Sequence, residues 1–235
     1  MNRIISCRLL LASLLILSVW SGQVIIAQDR TDSANLVQYT TDYEFTDGIY
    51  LNFEMVENND PIPKSRMLTT MDYNDRDFFE RLTDSKEIAF FDGLGVKKTV
   101  PTDKIWGYAD NGVLFININN SFNRITVVGS ICHFVANLTT YNTSAYDPYY
   151  YNNYSYRYRS PYSYPSQQTE LRQYMLDFKT GKVYDYNLKS VEVLLMADPE
   201  LADEYSRLRK KKKKQLKFYY IRKFNERNPL YLPKN

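Results

Sequence analysis

Cysteine and histidine are nearly missing from this chain, which has two cysteines and one histidine among 235 residues. Cys7 lies near the start, and Cys132 is followed directly by the single histidine, His133. The chain after residue 27 therefore holds one cysteine, which excludes an internal disulfide. One cysteine and one histidine are also too few for a zinc site unless carboxylates supply the other ligands. We predict a protein that is stabilised by its core and has no metal or cofactor.

A large excess of charge of one sign is missing as well. The formal net charge is +3. It falls by two if residues 1–27, which contain Arg3 and Arg8, are cleaved from the chain. A nearly balanced total does not favour a general nucleic-acid binder, whose affinity depends on excess positive charge. We therefore predict no nucleic-acid partner.

Residues 1–27 have the pattern of a secretory signal peptide. Arg3 and Arg8 precede an apolar run from Leu9 to Val19, and Ala27 is a suitable last residue before cleavage. Polar residues 21–23 interrupt the apolar stretch early, which favours cleavage over an uncleaved anchor. Cys7 lies before the apolar run, so it cannot be the lipid-bearing cysteine of a lipoprotein. The pattern predicts export to the periplasm, the outer membrane or the exterior, with no transmembrane segment after cleavage.

Short strand-like runs separated by turn signals fill most of the chain after the signal. Asn111-Gly112 between apolar runs predicts a hairpin with a type I′ turn. Strand spacing of this kind predicts an α+β fold, mainly antiparallel β (a sandwich or small barrel), with a C-terminal α-helix packed on or beside it. The predicted segments are a flexible leader at 28–46, a β-rich domain at 47–138, a tyrosine-rich low-complexity loop at 139–168, a hairpin completing the sheet at 169–188, a helical segment at 190–228 and a tail at 229–235.

Three local patterns predict particular elements. The run from Ile49 to Phe53 predicts a strand, and a short helix is expected from about Asp77 to Leu82, with Asn74 or Asp75 as its cap. Asp198-Pro199 predicts the start of a long helix. Its apolar face is expected to run through Leu201, Tyr205, Leu208, Lys212, Leu216 and Tyr219.

No arrangement in the sequence predicts a catalytic centre. Cys132 and His133 are adjacent in a predicted strand, so their side chains point to opposite faces and cannot form a dyad. We expect Cys132 in the core and His133 at an edge or on the surface. A pair of Asp or Glu side chains of the glycosidase kind stays open, because a sequence does not give the distance between them.

Two segments are candidate contact surfaces. Lys210, Lys211, Lys212, Lys213 and Lys214 form a basic run on the helix, which predicts either a solvated face or a site for an acidic partner. The tyrosine-rich loop is either a disordered insertion or a recognition surface, since tyrosine offers apolar area with a polar tip. The candidate aromatic and arginine contacts are Trp106, Tyr108, Tyr149, Tyr150, Tyr151, Tyr154, Tyr156, Arg157, Tyr158 and Arg159.

Four stretches resemble a group of uncharacterised exported proteins of Bacteroidetes: Asp47–Phe53, Asn59–Pro61, Ile105–Tyr108 and Arg222–Pro229. The resemblance covers most of residues 45–235 outside the tyrosine-rich loop. It implies an exported protein and assigns no catalytic residue. Asp32-Ser33-Ala34 also resembles the short O-glycosylation signal of that phylum, which makes Ser33 a candidate modification site.

These observations predict an exported, non-catalytic envelope protein that acts as a binding or interaction module. An envelope protein or a surface glycan is the expected partner, and the sequence leaves the oligomeric state open. Two alternatives remain: a polysaccharide-active hydrolase using an Asp/Glu pair, and a structural subunit of an envelope assembly held by the basic C-terminal helix.

Overall fold

The computed structural model describes residues 35–142 and 166–234. The chain divides into two compact units, Met1–Leu36 and Val37–Asn235, and nearly all of the described residues belong to the second. The predicted signal peptide, most of the leader and the centre of the tyrosine-rich loop lie outside the described residues. Within the described ranges the fold is α+β and mainly antiparallel, as the sequence predicts.

Seven antiparallel strands form a curled sheet that resembles half of a barrel. The strands are β2 (Gly48–Tyr50), β6 (Gly107–Asp110), β7 (Val113–Ile118), β8 (Ser121–Val127), β9 (Ile131–Asn142), β10 (Ser166–Asp177) and β11 (Lys182–Asp185). Their order across the sheet is β11-β10-β9-β8-β7-β6-β2.

The predicted hairpin at Asn111-Gly112 is confirmed. Asp110 and Val113 pair at the ends of β6 and β7, with Asn111 at φ 50° and Gly112 at φ 74°. Both residues occupy the left-handed region that a type I′ turn requires. Gly112 is also needed for space, because a Cβ there would lie 2.8 Å from the side chain of Glu44.

Two smaller sheets accompany the large one. Strands β3 (Met67–Leu68), β4 (Glu87–Phe91) and β5 (Lys97–Pro101) form the first. They enclose a second core with helix α2 (Phe78–Thr83), whose residues Phe78, Phe79 and Leu82 are buried. Strands β1 (Leu36–Gln38) and β12 (Tyr231–Pro233) form the other, and Leu232 is buried in the core of the large sheet.

Two local predictions were wrong in detail. The strand predicted for Ile49–Phe53 ends at Tyr50, and helix α1 (Phe53–Glu57) begins where that strand was expected to end. Asn52 causes the change, because its side chain accepts a hydrogen bond from Met55 N at 2.9 Å and caps the helix. Asp77, and not Asn74 or Asp75, is the N-cap residue of α2, while Asp75 accepts from Asp77 N at 3.0 Å.

The C-terminal segment contains three helices, α3 (Leu188–Leu195), α4 (Pro199–Ser206) and α5 (Lys210–Arg227). Asp198 caps α4 and Pro199 is at its first turn, as predicted. The prediction of a single apolar face through both helices is wrong. The extended backbone of Arg209 (ψ 147°) interrupts the helix, so the side chains of α5 point in other directions than a continuous helix would give them. Tyr220, Ile221 and Phe224 are buried, while the predicted face residues Lys212 and Tyr219 are exposed.

The three helices cover part of the outer face of the large sheet. Ile131 of β9 and Met175 of β10 share a third core with them. The sheet strands also run further than expected: Asn142 pairs with Ser166, so residues 139–142 and 166–168 of the predicted loop are β-structured. Apart from Tyr141, the sequence of these stretches consists of Thr, Asn, Ser and Gln. They therefore lack the alternating apolar residues by which a strand is recognised in a sequence.

None of the helices in the described part of the chain has both the length and the apolar character of a membrane span.

Candidate functional site: a basic groove beside strand β10

The two faces of the β9–β10 hairpin differ in what covers them. Even-numbered side chains of β9 from Cys132 to Leu138 lie in the core of the large sheet. Odd-numbered side chains point to the outer face, because successive residues of a strand alternate. There the helices cover Ile131 and Met175, but Val135 is 40 % exposed and Leu171 is 69 % exposed.

A groove lies at this uncovered part of the outer face, and we call it the β10 groove. It is open to solvent and has a volume of about 460 Å³. Strand β10, the end of β11 and helix α5 supply its walls. The lining residues are Leu171, Arg172, Gln173, Asp185, Tyr186 and Lys217.

Lys217 is the partly buried cation of the groove. Its ammonium lies 3.7 Å from the centroid of the Tyr186 ring and donates to the Tyr186 carbonyl at 3.1 Å. Burial lowers the pKa of Lys217, and the like charge of Lys214 lowers it further. In the described ranges no carboxylate forms an ion pair with Lys217. The ammonium is therefore held where an added anion would relieve both unfavourable effects.

His133 lies beside the groove on the same face. Its Nε2 is 3.2 Å from Gln173 Oε1. Its ring lies edge-on to the rings of Tyr186 and Phe218, with centroid separations of 4.8 Å and 5.8 Å. Burial lowers the pKa of His133, and Lys217 contributes to the same effect. Burial therefore disfavours the charged imidazole, and the ring forms an aromatic floor next to the cations together with Tyr186 and Phe218.

Helix α5 is fixed to the sheet near its C-terminal end. Asn225 donates to Ile131 O at 2.9 Å and accepts from Ile131 N at 2.8 Å. The approach requires a glycine at residue 129, where a Cβ would lie 2.6 Å from the Asn225 amide. Ser130 donates its hydroxyl to Asn228 O at 2.5 Å. These contacts hold the C-terminal end of α5 against the start of β9.

The predicted basic run divides according to its place on α5. Lys213 is partly buried and pairs with Glu192 at 2.8 Å, so it joins α5 to α3. Lys210, Lys211, Lys212 and Lys214 are exposed. Lys214 is three residues from Lys217, and Lys211 is three residues before Lys214, so these lysines share one side of the helix. Of the predicted run, Lys214 is the member whose charge reaches the groove.

The other predicted contact residues are not brought to this groove. Trp106 is half-buried and packs 5.7 Å from Phe53 at the rim of the first core. Tyr108 is 4 % exposed and stacks on Phe115 in the second core, so it offers no surface to a partner. Ser33, Tyr149, Tyr150, Tyr151, Tyr154, Tyr156, Arg157, Tyr158 and Arg159 lie outside the described residues.

Cys132 and His133 are on opposite faces of β9. The Cys132 thiol is fully buried, donates to Gly129 O at 3.3 Å and has its pKa raised to about 12 by burial. His133 instead faces the groove. The two side chains therefore cannot act on one substrate atom.

A second, shallow pocket of about 390 Å³ is lined by Asp103, Ile105, Asn117, Asn119 and Asn120. Each of the two pockets contains one carboxylate, Asp103 in this one and Asp185 in the β10 groove. In the described ranges no group of three His, Cys, Asp or Glu side chains is placed to hold a metal ion.

None of the residues that line the groove belongs to the contact candidates chosen from the sequence. The other odd-numbered residues of β10 up to Gln173 are polar. A leucine at position 171 among them is a weak signal of an exposed apolar residue. Lys217 lies three residues after the last lysine of the basic run. The contact between Tyr186 and Lys217 spans 31 residues, so no local pattern could predict it.

Comparison with known protein families, with curated proteins and with solved structures gives no match. The class that the fold and groove define is an α+β protein with a basic, aromatic surface groove.

Proposed function

We propose that this protein is an exported, non-catalytic binding module of the cell envelope that holds an anionic partner in the β10 groove. The observation that supports this proposal most strongly is the environment of Lys217. Its ammonium is partly buried beside Lys214, and it has no carboxylate partner among the described residues. An anion in the groove would restore the favourable interaction that burial removes. The aromatic rings of Tyr186 and Phe218 would add apolar contact.

The composition of the groove supports binding over turnover. Its charged side chains are two cations and one carboxylate, Asp185. A hydrolase of the glycosidase kind uses two carboxylates on either side of the scissile bond. The structural-subunit alternative uses the same basic helix, and the groove adds to it a defined place of contact.

Carboxylate polymers test the proposed site. Polygalacturonate and poly-L-glutamate are titrated against the protein and against the double variant Lys214→Gln/Lys217→Gln. We expect about tenfold weaker binding of at least one polymer, because two ion pairs are lost. The pKa of Lys217, followed by NMR, should rise when the polymer saturates the protein.

The matched control is Lys212→Gln/Arg222→Gln, which removes the same charge from exposed positions of α5. It should weaken binding no more than about twofold, through the general field alone. Equal weakening by both double variants would show that the polymer follows net charge, and would contradict the groove as the site.

Export is tested separately by expressing the full chain in a bacterial host. We expect an envelope fraction that contains the chain without residues 1–27, identified from its mass. Leu14→Arg/Leu15→Arg interrupts the apolar run and should leave the full-length chain in the cytosol. Cytosolic accumulation of the unaltered chain would contradict export.

A further inference from the structure

We infer that strand β10 accepts an extended acidic peptide segment of a partner protein as an additional strand, beside the stretch of β10 that β11 leaves uncovered. The inference rests on the proposed function, because it names the partner class of the same groove.

The uncovered edge follows from the different lengths of two strands. Strand β10 is paired with β9 over its whole length, from Ser166 to Asp177. Strand β11 pairs only with Tyr174–Asp177. The last bond at this edge runs from Tyr186 N to Gln173 O at 2.9 Å, and Asn187 then caps helix α3. In the described ranges, no strand lies beside Ser166–Arg172 on that side of β10.

The backbone of β10 presents hydrogen-bonding groups at this edge. Phe178 N, just after the strand, bonds to Ser130 O on the β9 side, whereas Gln173 O bonds outward to Tyr186. In an antiparallel strand the direction alternates with each residue. The N–H and C=O groups of Thr169 and Leu171 therefore point outward, and both residues are exposed. An extended peptide can pair with such an edge by strand addition.

The side chains around the edge indicate the chemistry of the added strand. Neighbouring residues on paired strands share a face, so the added side chains would alternate between two environments. On the outer face they would meet Leu171, Lys217 and Lys214. On the other face they would meet Arg172, which already pairs with Glu170 at 3.0 Å. Glutamate side chains on the outer face satisfy the two lysines, and β-branched residues such as threonine on the other face favour an extended strand.

Two other occupants fit less well. A polysaccharide could meet the cations, but it lacks the regular N–H and C=O repeat that pairs with Thr169 and Leu171. A second copy paired about Leu171 would place Thr169 opposite the partner's Gln173. The carbonyl of Gln173 is already bonded to Tyr186 in each chain. The observations therefore favour a peptide from a different protein.

The test uses two peptides of equal length and charge. One, the threonine peptide, alternates threonine with glutamate. The other has the same sequence with every glutamate N-methylated, so it lacks the N–H groups that point to β10 when the glutamates face Lys217. We expect the threonine peptide to bind at least about tenfold more tightly, since it can complete the edge hydrogen bonds. Its binding should slow hydrogen exchange at the amides of Thr169 and Leu171.

A variant of the edge gives a second, independent measurement. Thr169→Pro removes one outward N–H, and proline is tolerated at an edge strand where the N–H faces solvent. Binding of the threonine peptide should weaken about fivefold. Thr169→Val keeps the N–H and a β-branched side chain, so it is the matched control and should bind like the unaltered protein.

Equal affinity for the two peptides would overturn strand addition. Slow exchange of Thr169 and Leu171 amides in the free protein would also overturn it, because the edge would then already be covered. If either result appears while polymer binding still depends on Lys214 and Lys217, the groove is an anion site without strand addition. Loss of that dependence as well would overturn the proposed function.

Discussion

The inner and outer faces of the β9–β10 hairpin are built from the same two strands, but they differ in how far their side chains are buried. On the inner face Phe134, Ala136 and Leu138 are buried in the core of the large sheet. On the outer face the helices cover the row of Ile131 and Met175, and beyond it Val135 and Leu171 meet solvent. Apolar residues alternate onto both faces, so the difference depends on how far the helices extend over the sheet.

This difference in burial shows which side chains can contact a partner without a cost to the stability of the fold. A side chain buried in a core stabilises the fold through the apolar area that it removes from water. A side chain left exposed beside Lys217 and Tyr186 contributes little to folding and remains available to a partner. A binding surface of this kind forms where a sheet is longer than the layer packed against it.

The largest expected effect compares one leucine from each face. Leu138→Ala on the inner face should lower the free energy of unfolding by about 2–5 kcal/mol, because it removes buried methyl groups and leaves a cavity. Leu171→Ala on the outer face should change it by less than about 0.5 kcal/mol. Urea unfolding at constant pH measures both. Similar losses from the two variants would mean that the outer face is covered in solution.

An intermediate effect is expected where α5 meets the sheet. Asn225→Ala removes both hydrogen bonds to the backbone of Ile131 and leaves those groups without their partner. The free energy of unfolding should fall by about 1–3 kcal/mol. Gln215→Ala, at an exposed position of the same helix, is the control and should be close to neutral. If Asn225→Ala is also neutral, the apolar contacts of α5 alone set its position.

The smallest expected effect is the pH dependence due to His133 on the outer face. Burial and the nearby Lys217 lower the pKa of His133 in the folded state. The unfolded chain therefore binds the proton more readily as pH falls below about 6.5. The contribution of His133 to stability is present above this pH and is lost as pH falls through the folded pKa.

His133→Gln keeps a polar side chain and removes this titration. Between about pH 7.5 and pH 5.5 the variant should lose less stability than the unaltered protein, measured by urea unfolding at each pH. The carboxylates titrate in both proteins and cancel in the comparison. An identical loss would show that the imidazole is as well solvated in the folded as in the unfolded state.

Local chemistry explains which elements could be predicted. Asn111-Gly112 and Asp198-Pro199 specify a turn and a helix start through their own backbone preferences. Asn52 shows where this reasoning fails: the apolar run before it resembles a strand, but its side chain caps a helix that starts one residue later. Strand and helix compete for the same short apolar run, and the cap decides between them.

The groove could be predicted only in part. The basic run was visible, but which lysine faces the sheet depends on the phase of α5 after the extended Arg209. The prediction placed Lys212 against apolar surface, whereas Lys213 and Lys217 are partly buried. A few linker residues can rotate the following helix about its axis, and every side chain of that helix then points in another direction.

The sequence by itself determined the antiparallel α+β class, the β6–β7 hairpin and the start of α4, because alternation, turn chemistry and capping act between residues close in the chain. The tertiary structure decided which part of the outer face stays open. That outcome depends on contacts across long separations, from Asn225 to Ile131 and from Lys217 to Tyr186. Such contacts form only when the whole core packs, so no local segment of the chain encodes the groove.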